Sequence, residues 1–463
     1  MELTDLATIS AENYGDLQAA IEKEKASRDV ETFLKQLDPD QHDVVANKLK
    51  RPDKQKTDSN GSTSTVPVAR LPLTIQKLIV NRAAAFLCGR PIQLQSDPVD
   101  DSQIGFTAVI QKVWDDNKLG FKSITLAEIM MGETECAELW YMVPAEEEYW
   151  FETAAEGAKF KPRVKILANS YGDKLYPVFD QFGDMIAFGR SYKIKVAGQD
   201  QECYDIYMAD KTYLGRKGES GWEVTQEPNP AKKIPIIYYS QPSPEWADVQ
   251  ALIDRLETQL SNLADTNDYF GSPIVFVEGD VVGFADKGDT GKVLKGTPGA
   301  KAEYLTWDRS PESVKLELES LKKYINQLTD TPDISIEEMK GLGTFSGVAL
   351  RLLFLPAHLK AARKEGIFGE GIQRRINYLK ASMASAQTSF QSVVGMQIKP
   401  RFEYYLPQNE QEMVDLLTTA VGVGKPIMSQ ESAIRANPLV TDPDAEIQKM
   451  TDEGSLGADI QTA

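Results

Sequence analysis

The sequence predicts an α+β fold, and three observations carry that reading. Helical periodicity occupies 68–90, 102–117 and 121–131, and returns in a very long stretch from Ser346 onward. Between about 134 and 240 the apolar period changes to two, with turn signals at YGD (171–173), FGD (182–184), AGQD (197–200) and KGESG (217–221). After this run, two long helical patterns flank a short Gly-rich insert at 271–309. Consecutive strands with tight turns make an antiparallel meander, not a βαβ array.

Taken in order, residues 14–38 alternate charge with spaced apolar side chains (Leu17, Ile21, Phe33, Leu34, Leu37), which suits an exposed helix. Asp38-Pro39 reads as an N-cap followed by proline at the first helical position. RPDKQKTDSNGSTSTVP (51–67) is polar and nearly free of apolar groups, so a mobile linker is expected. The helix at 68–90 ends at Gly89 and carries Leu78, Ile79, Arg82, Ala83 and Phe86 on one face. In AFGRSYKIKV, Phe188, Tyr192, Ile194 and Val196 share one strand face.

The central pair is the most informative. Trp246, Val249, Ile253, Leu256, Leu260 and Leu263 form a narrow stripe along 245–268. Ser310-Pro311 starts the second helix, whose stripe is Val314, Leu318, Leu321, Ile325 and Leu328. Narrow stripes suit a packing seam, either within one hairpin or with copies of the same chain. Thr331-Pro332 stops this helix, and a long loop follows. Pro356 lies about three turns into the last long helix and is expected to kink it; Gly366, Gly369 and Gly371 are further expected bends.

Composition excludes several functions. No uninterrupted apolar run is long enough to span a membrane. The acidic N-terminus lacks a secretory pattern, so a cytoplasm-like compartment is expected. Cys88, Cys136 and Cys203 have neither metal nor redox spacing and read as buried thiols. Only two histidines occur, His42 and His358, which leaves little scope for Ser-His, Cys-His or His-metal chemistry. The net charge of −18 is opposite to that of a protein gripping nucleic-acid phosphates. GLGTFSG (341–347) has the wrong spacing for a dinucleotide fingerprint, and no βαβ unit surrounds it. GDTGKV (288–293) lacks a P-loop's first glycine, Asp286 standing there, and its Ser/Thr, Val293 standing there. No cofactor is expected.

Several stretches, taken in order, resemble the portal (head–tail connector) proteins of long-tailed bacteriophages. They are IVNRAAAFLCGRPIQLQ (79–95), the helix–insert–helix of 245–330, and TPDIS followed by SGVALRLLFLPAHLKAARKEGIF. IKPRFEYYLPQNEQEMVDLL (398–417) and ESAIRANPLVTDPDAEIQKM (431–450) complete the series. The resemblance implies a portal-type fold. N-terminal helices and linker (1–67) would lie at the wing periphery, with the α/β wing at 68–243. The first stem helix (244–270), a small α/β clip (271–309) and the second stem helix (310–330) would follow. A tunnel loop (331–346), the long kinked wing helix with a return strand (347–406) and a short helical crown (407–463) would complete the chain.

The implied function is a ring of twelve copies at one capsid vertex, through which double-stranded DNA is packaged and ejected without hydrolysis by the portal itself. Implied partners are the terminase (packaging ATPase), head-completion or adaptor proteins, the major capsid and scaffolding proteins, and DNA held without sequence specificity. The implied location is the virion, with assembly in the host cytoplasm and no membrane contact. Tunnel-loop candidates facing DNA are Glu337, Glu338, Lys340, Gly341, Gly343 and Thr344. An acidic wall would keep phosphates off the channel, and Glu245, Asp248, Asp254, Glu257, Glu312, Glu317 and Glu319 are candidates for it. Clip contacts with partners would involve Lys287, Asp289, Lys292, Lys295 and Lys301. Two other readings stay open: a carboxylate- or metal-dependent nucleic-acid hydrolase, and a non-viral helical scaffold.

Overall fold

The computed structural model describes residues 9–10, 12–25, 28–57, 60–196, 198–219, 221–270, 274–278, 281–283, 295–296, 301–305, 311–333, 352–404, 410–422 and 426–454. Helices and antiparallel strands segregate along the chain, as an α+β fold requires.

The N-terminal segment is not an exposed helix. It breaks into α1 (Tyr14–Glu24), α2 (Val30–Leu37) and the short α3 (Asp43–Ala46). Tyr14, Leu17 and Ile21 of α1 are buried, because this face packs on a sheet. Asp38 caps a 3-10 turn at Pro39–Gln41, accepting from the Asp40 N–H at 3.1 Å. Residues 51–67 also differ from expectation. They contain a hairpin of β1 (Lys54–Thr57) and β2 (Thr63–Val66), held at its base by Arg70–Asp53 at 2.8 Å. The local sequence is polar because all eight strand residues are exposed.

Helix α4 (Ile75–Cys88) ends at Gly89 but starts later than its periodicity suggests. Its buried face is Ile79, Val80, Ala83, Ala84, Leu87 and Cys88, and Leu78 is exposed. β3 (Gln93–Ser96), α5 (Asp101–Asp116) and α6 (Leu119–Glu133) follow, with Asp100 capping α5 through the Gln103 N–H.

The meander then supplies β4 (Glu135–Pro144), β5 (Phe160–Leu167), β6 (Lys174–Phe179), β7 (Met185–Val196), β8 (Gln199–Tyr207), β9 (Lys211–Gly218), β10 (Gly221–Pro228) and β11 (Ile236–Ser240). Every pairing is antiparallel. One sheet is ordered β10-β9-β8-β7-β6 and the other β11-β4-β5. Gly172, Gly183, Gly198 and Gly221 sit at the four expected turns with positive φ, which a side chain would disfavour. α1 covers one part of the five-stranded sheet; Leu175, Phe188 and Tyr207 pack it against Ala137, Leu167 and Tyr238 of the smaller one.

α7 (Gln250–Phe270) and α8 (Pro311–Leu328) pack together on either side of two small ribbons. These ribbons pair β12 (Ile274–Glu278) with β15 (Lys301–Leu305), and β13 (Val281–Gly283) with β14 (Lys295–Gly296). The long helix α9 (Leu355–Ala386) runs unbroken through Gly366, Gly369 and Gly371. A turn at Phe354 separates it from the helical Leu352 and Leu353, and Pro356 sits in its first turn, where its missing N–H forfeits no helical bond; the start expected near Ser346 lies outside the described residues. β16 (Ile398–Arg401) returns to pair with β3, and α10 (Glu410–Val421), α11 (Gln430–Ala436) and α12 (Pro443–Asp452) close the chain.

The main core joins α4, α5, α6, β4, α7 and α9. At its centre Arg375 and Glu138 form a fully buried ion pair, with Arg375 Nε 2.9 Å from Glu138 Oε1. Glu138 also accepts from Tyr239 OH at 3.0 Å and Trp140 Nε1 at 2.9 Å, and Arg375 Nη1 donates to Ser123 Oγ at 3.1 Å. These bonds satisfy charges that would otherwise be costly to bury. The three cysteines are buried free thiols, as their spacing suggested.

Candidate functional site

The site is the α7–α8 pair and the segments that position it. Trp246, Val249, Ile253 and Leu256 of the first stripe are buried, and Ile325 is the buried centre of the second. Leu328 is exposed instead. Across the pair, Arg255 Nη2 lies 2.8 Å from Glu317 Oε1, and Gln259 Nε2 donates to both Glu317 oxygens at 3.1 Å.

The other flank of α7 is stitched to the N-terminal segment. His42 Nδ1 is 2.7 Å from Glu257 Oε1, which also accepts from the Leu73 N–H at 2.7 Å. His42 Nε2 faces the Gln36 carbonyl at 2.8 Å. With acceptors at both nitrogens, the ring satisfies both bonds only as the imidazolium. Burial opposes that charge, but hydrogen bonding and attraction to Glu257 outweigh it and raise the His42 pKa. Below this, Asp265 accepts from Arg51 Nη2 at 2.7 Å and the Ala69 N–H at 2.8 Å, and Ser261 Oγ accepts from the Leu71 N–H at 3.0 Å.

At the top of the pair, Glu245 meets Lys360 Nζ at 2.8 Å and pairs with Lys364. Lys360 also donates to the Thr329 carbonyl at 2.8 Å. One carboxylate thus fastens the starts of α7 and α9 and the end of α8. Burial would raise its pKa, but the two ammonium groups more than offset this and hold it low.

These contacts correct two of the acidic-wall candidates. Glu257 is 1% exposed and the Glu245 side chain 5%, each enclosed by its own chain, so neither faces a channel. Asp254 is half-buried and accepts from Gln250 Nε2 at 2.8 Å; burial, then Asp43 and Glu257, raise its pKa. Glu317 is half-buried and paired, whereas Asp248, Glu312 and Glu319 are exposed. On the ribbons, Lys295 lies on β14, and Lys301 is exposed on β15 opposite Glu278. Lys287, Asp289 and Lys292, and the loop candidates Glu337, Glu338, Lys340, Gly341, Gly343 and Thr344, lie outside the described residues.

Sequence reasoning missed the role of the N-terminal segment. One signal was available: Glu257 falls four residues after Ile253 and three before Leu260, on the edge of the apolar stripe. Nothing local marked Glu245, whose lysine partners are more than a hundred residues away. Among the described residues, no three His, Cys, Asp or Glu side chains converge as a metal site, and no helix is long and apolar enough to cross a membrane.

No curated protein sequence matches the chain significantly. Solved structures are similar at low identity. The neck of an empty gene transfer agent particle, computed with sixfold symmetry, has 12% identity and a TM-score of 0.40, covering 85% of this chain and 93% of that one. The virion of a native gene transfer agent particle has 11% identity and a TM-score of 0.39, covering 89% and 94%. The neck of a native particle, computed with twelvefold symmetry, has 12% identity and a TM-score of 0.38, covering 79% and 88%. The family profile described as "Phage portal protein, SPP1 Gp6-like" matches residues 30–456, nearly the whole chain. That family is a structural, non-enzymatic one. The chain belongs to the SPP1 Gp6-like phage portal proteins and is a portal protein of the capsid vertex.

Proposed function

We propose that copies of this protein join head to tail in a closed ring of twelve, and that double-stranded DNA is packaged and ejected through its centre. One observation carries the ring. α8 leaves Leu316, Tyr324 and Leu328 more than half exposed. Large apolar groups at that density favour burial against another chain, and a heterologous contact that closes generates a cyclic ring.

The channel would pass DNA without gripping it. The net charge of −18 and exposed carboxylates such as Asp248 repel phosphate, so the duplex stays near the axis. The chain itself would hydrolyse nothing. The terminase supplies the work during packaging and docks at the β12–β15 end of the helix pair. Head-completion or adaptor proteins replace it afterwards, while capsid and scaffolding proteins hold the wider part. Assembly takes place in the host cytoplasm and the ring remains in the virion.

Silencing this gene in the particle that encodes it tests the reading. The expected result is capsids that contain no DNA and carry no tail, restored by the gene in trans. DNA-filled heads made without the protein would contradict it.

A further inference from the structure

α8 ends, and α9 begins, against the same helix, α4. The connection between them carries the tunnel-loop candidates from Glu337 to Thr344. Closing a long connection costs conformational entropy, so its two ends stay together only where contacts hold them. The described residues on either side, up to Asp333 and from Leu352, show those contacts.

The first end is a tightly specified turn. Asp330 has a φ of +52°, uncommon for a residue with a side chain. The Thr331 N–H reaches back to the Asn326 carbonyl at 2.9 Å, and the Asp330 N–H to the Gln327 carbonyl at 3.4 Å. This double closure ends a helix and turns the chain out of it. Thr331 is buried, and its hydroxyl accepts from the Thr329 hydroxyl at 2.9 Å. The next residue is caught by α4: Arg82 Nη1 donates to the Pro332 carbonyl at 2.6 Å. An ionised donor makes this a strong, directed bond.

The second end is held by packing. Phe354, at the turn before α9, lies with its ring 5.7 Å from that of Phe86. His358 meets the same Phe86 ring edge-on at 5.5 Å, and also meets Tyr404 at 6.0 Å. These separations are those of favourable aromatic pairs. Lys360 then ties α9 back to the first end through the Thr329 carbonyl.

Arg82 and Phe86 are four residues apart on α4, so they stand about 6 Å apart along its axis and about 40° round it. Both are half-buried, on a helix whose Ile79, Val80, Ala83, Ala84 and Leu87 are fixed in the main core. A packed helix face holds two points at a set spacing better than a loop can.

We infer that Arg82 and Phe86 are positioning residues of the channel, a two-point clamp that sets the spacing between the end of α8 and the start of α9, and so the base of the connection between them. The guanidinium fixes one end and the phenyl ring the other. This rests on the reading of that connection as the stretch facing DNA.

The test uses the full-length protein with Asp333→Cys and Leu352→Cys, exposed positions beside the two contacts, as sites for nitroxide labels; the native cysteines are buried. Labelled chains are diluted among unlabelled ones, so that pulsed electron spin resonance reads the distance within one copy. Arg82→Ala should fold, since alanine suits a helix, and should broaden an otherwise narrow distance distribution, as should Phe86→Ala. Arg82→Lys, which keeps a cationic donor, should restore the narrow distribution. Gly189→Ala crowds Tyr204 and Ile21 in the five-stranded sheet and serves as the comparison for general destabilisation; it should leave the distribution narrow. In the particle, Arg82→Ala should still form rings but yield fewer DNA-filled heads, and Arg82→Lys should recover them. Distances that stay narrow in both alanine variants, or broaden equally in Gly189→Ala, would overturn the clamp. Broadened distances with the normal yield of DNA-filled heads would overturn its part in DNA passage. The expected distances in chains that never form rings would uphold the clamp and overturn the ring reading instead.

Discussion

His42 and Glu257 show how single side chains fix this molecule. The imidazolium joins the Gln36 carbonyl to Glu257, with both side chains nearly out of water. Its folded pKa lies above the ordinary 6.5. Charging therefore favours the folded state fully below about 6.5, and that contribution is lost as pH rises through the raised folded value. His42→Gln should destabilise the fold by about 1–3 kcal/mol at pH 6, and by less at pH 9. Thermal unfolding of both proteins at the two pH values checks this; a gap that widens with pH would contradict it. Arg375→Met is expected to cost about 3–5 kcal/mol, because it leaves Glu138 charged and buried without its cation. Denaturant unfolding measures that loss directly. Neither pair was legible in the sequence. His42 precedes Glu257 by 215 residues and Glu138 precedes Arg375 by 237, and no local pattern spans such separations.

At the scale of elements, the sequence was readable wherever burial imposed a period. α5, α6 and the meander appear close to the predicted stretches, and the turn glycines sit at the predicted turns. Reading failed where tertiary contacts overrode local pattern. The polar run 51–67 forms a hairpin because its base is tied to α7. The glycines of α9 separate the two influences. A Cβ on Gly371 would lie 2.1 Å from Tyr239 Cε1, and that ring is held by its bond to Glu138. Gly371→Ala should therefore destabilise by about 1–3 kcal/mol despite alanine's better helix propensity. A Cβ on Gly366 meets nothing within 4 Å, so Gly366→Ala should stabilise by about 0.5–1 kcal/mol. Chemical denaturation of the two variants should give shifts of opposite sign; equal shifts would show that packing around Gly371 yields freely.

At the scale of the whole molecule, the order of segments was more legible than any functional residue. Helix, insert and helix, then the long helix and the strand returning to β3, can be followed in the sequence, and the portal family profile spans them. The acidic wall was not legible residue by residue, because periodicity separates faces of a helix but does not say which chain covers them. Glu245 and Glu257 proved to be internal fasteners for that reason. Assembly is tested most directly by negative-stain electron microscopy of the purified protein, with its mass from light scattering. Closed rings with a central hole and a mass near twelve chains are the expected result. A uniform folded monomer that stays monomeric when made together with its capsid and scaffolding proteins would contradict it.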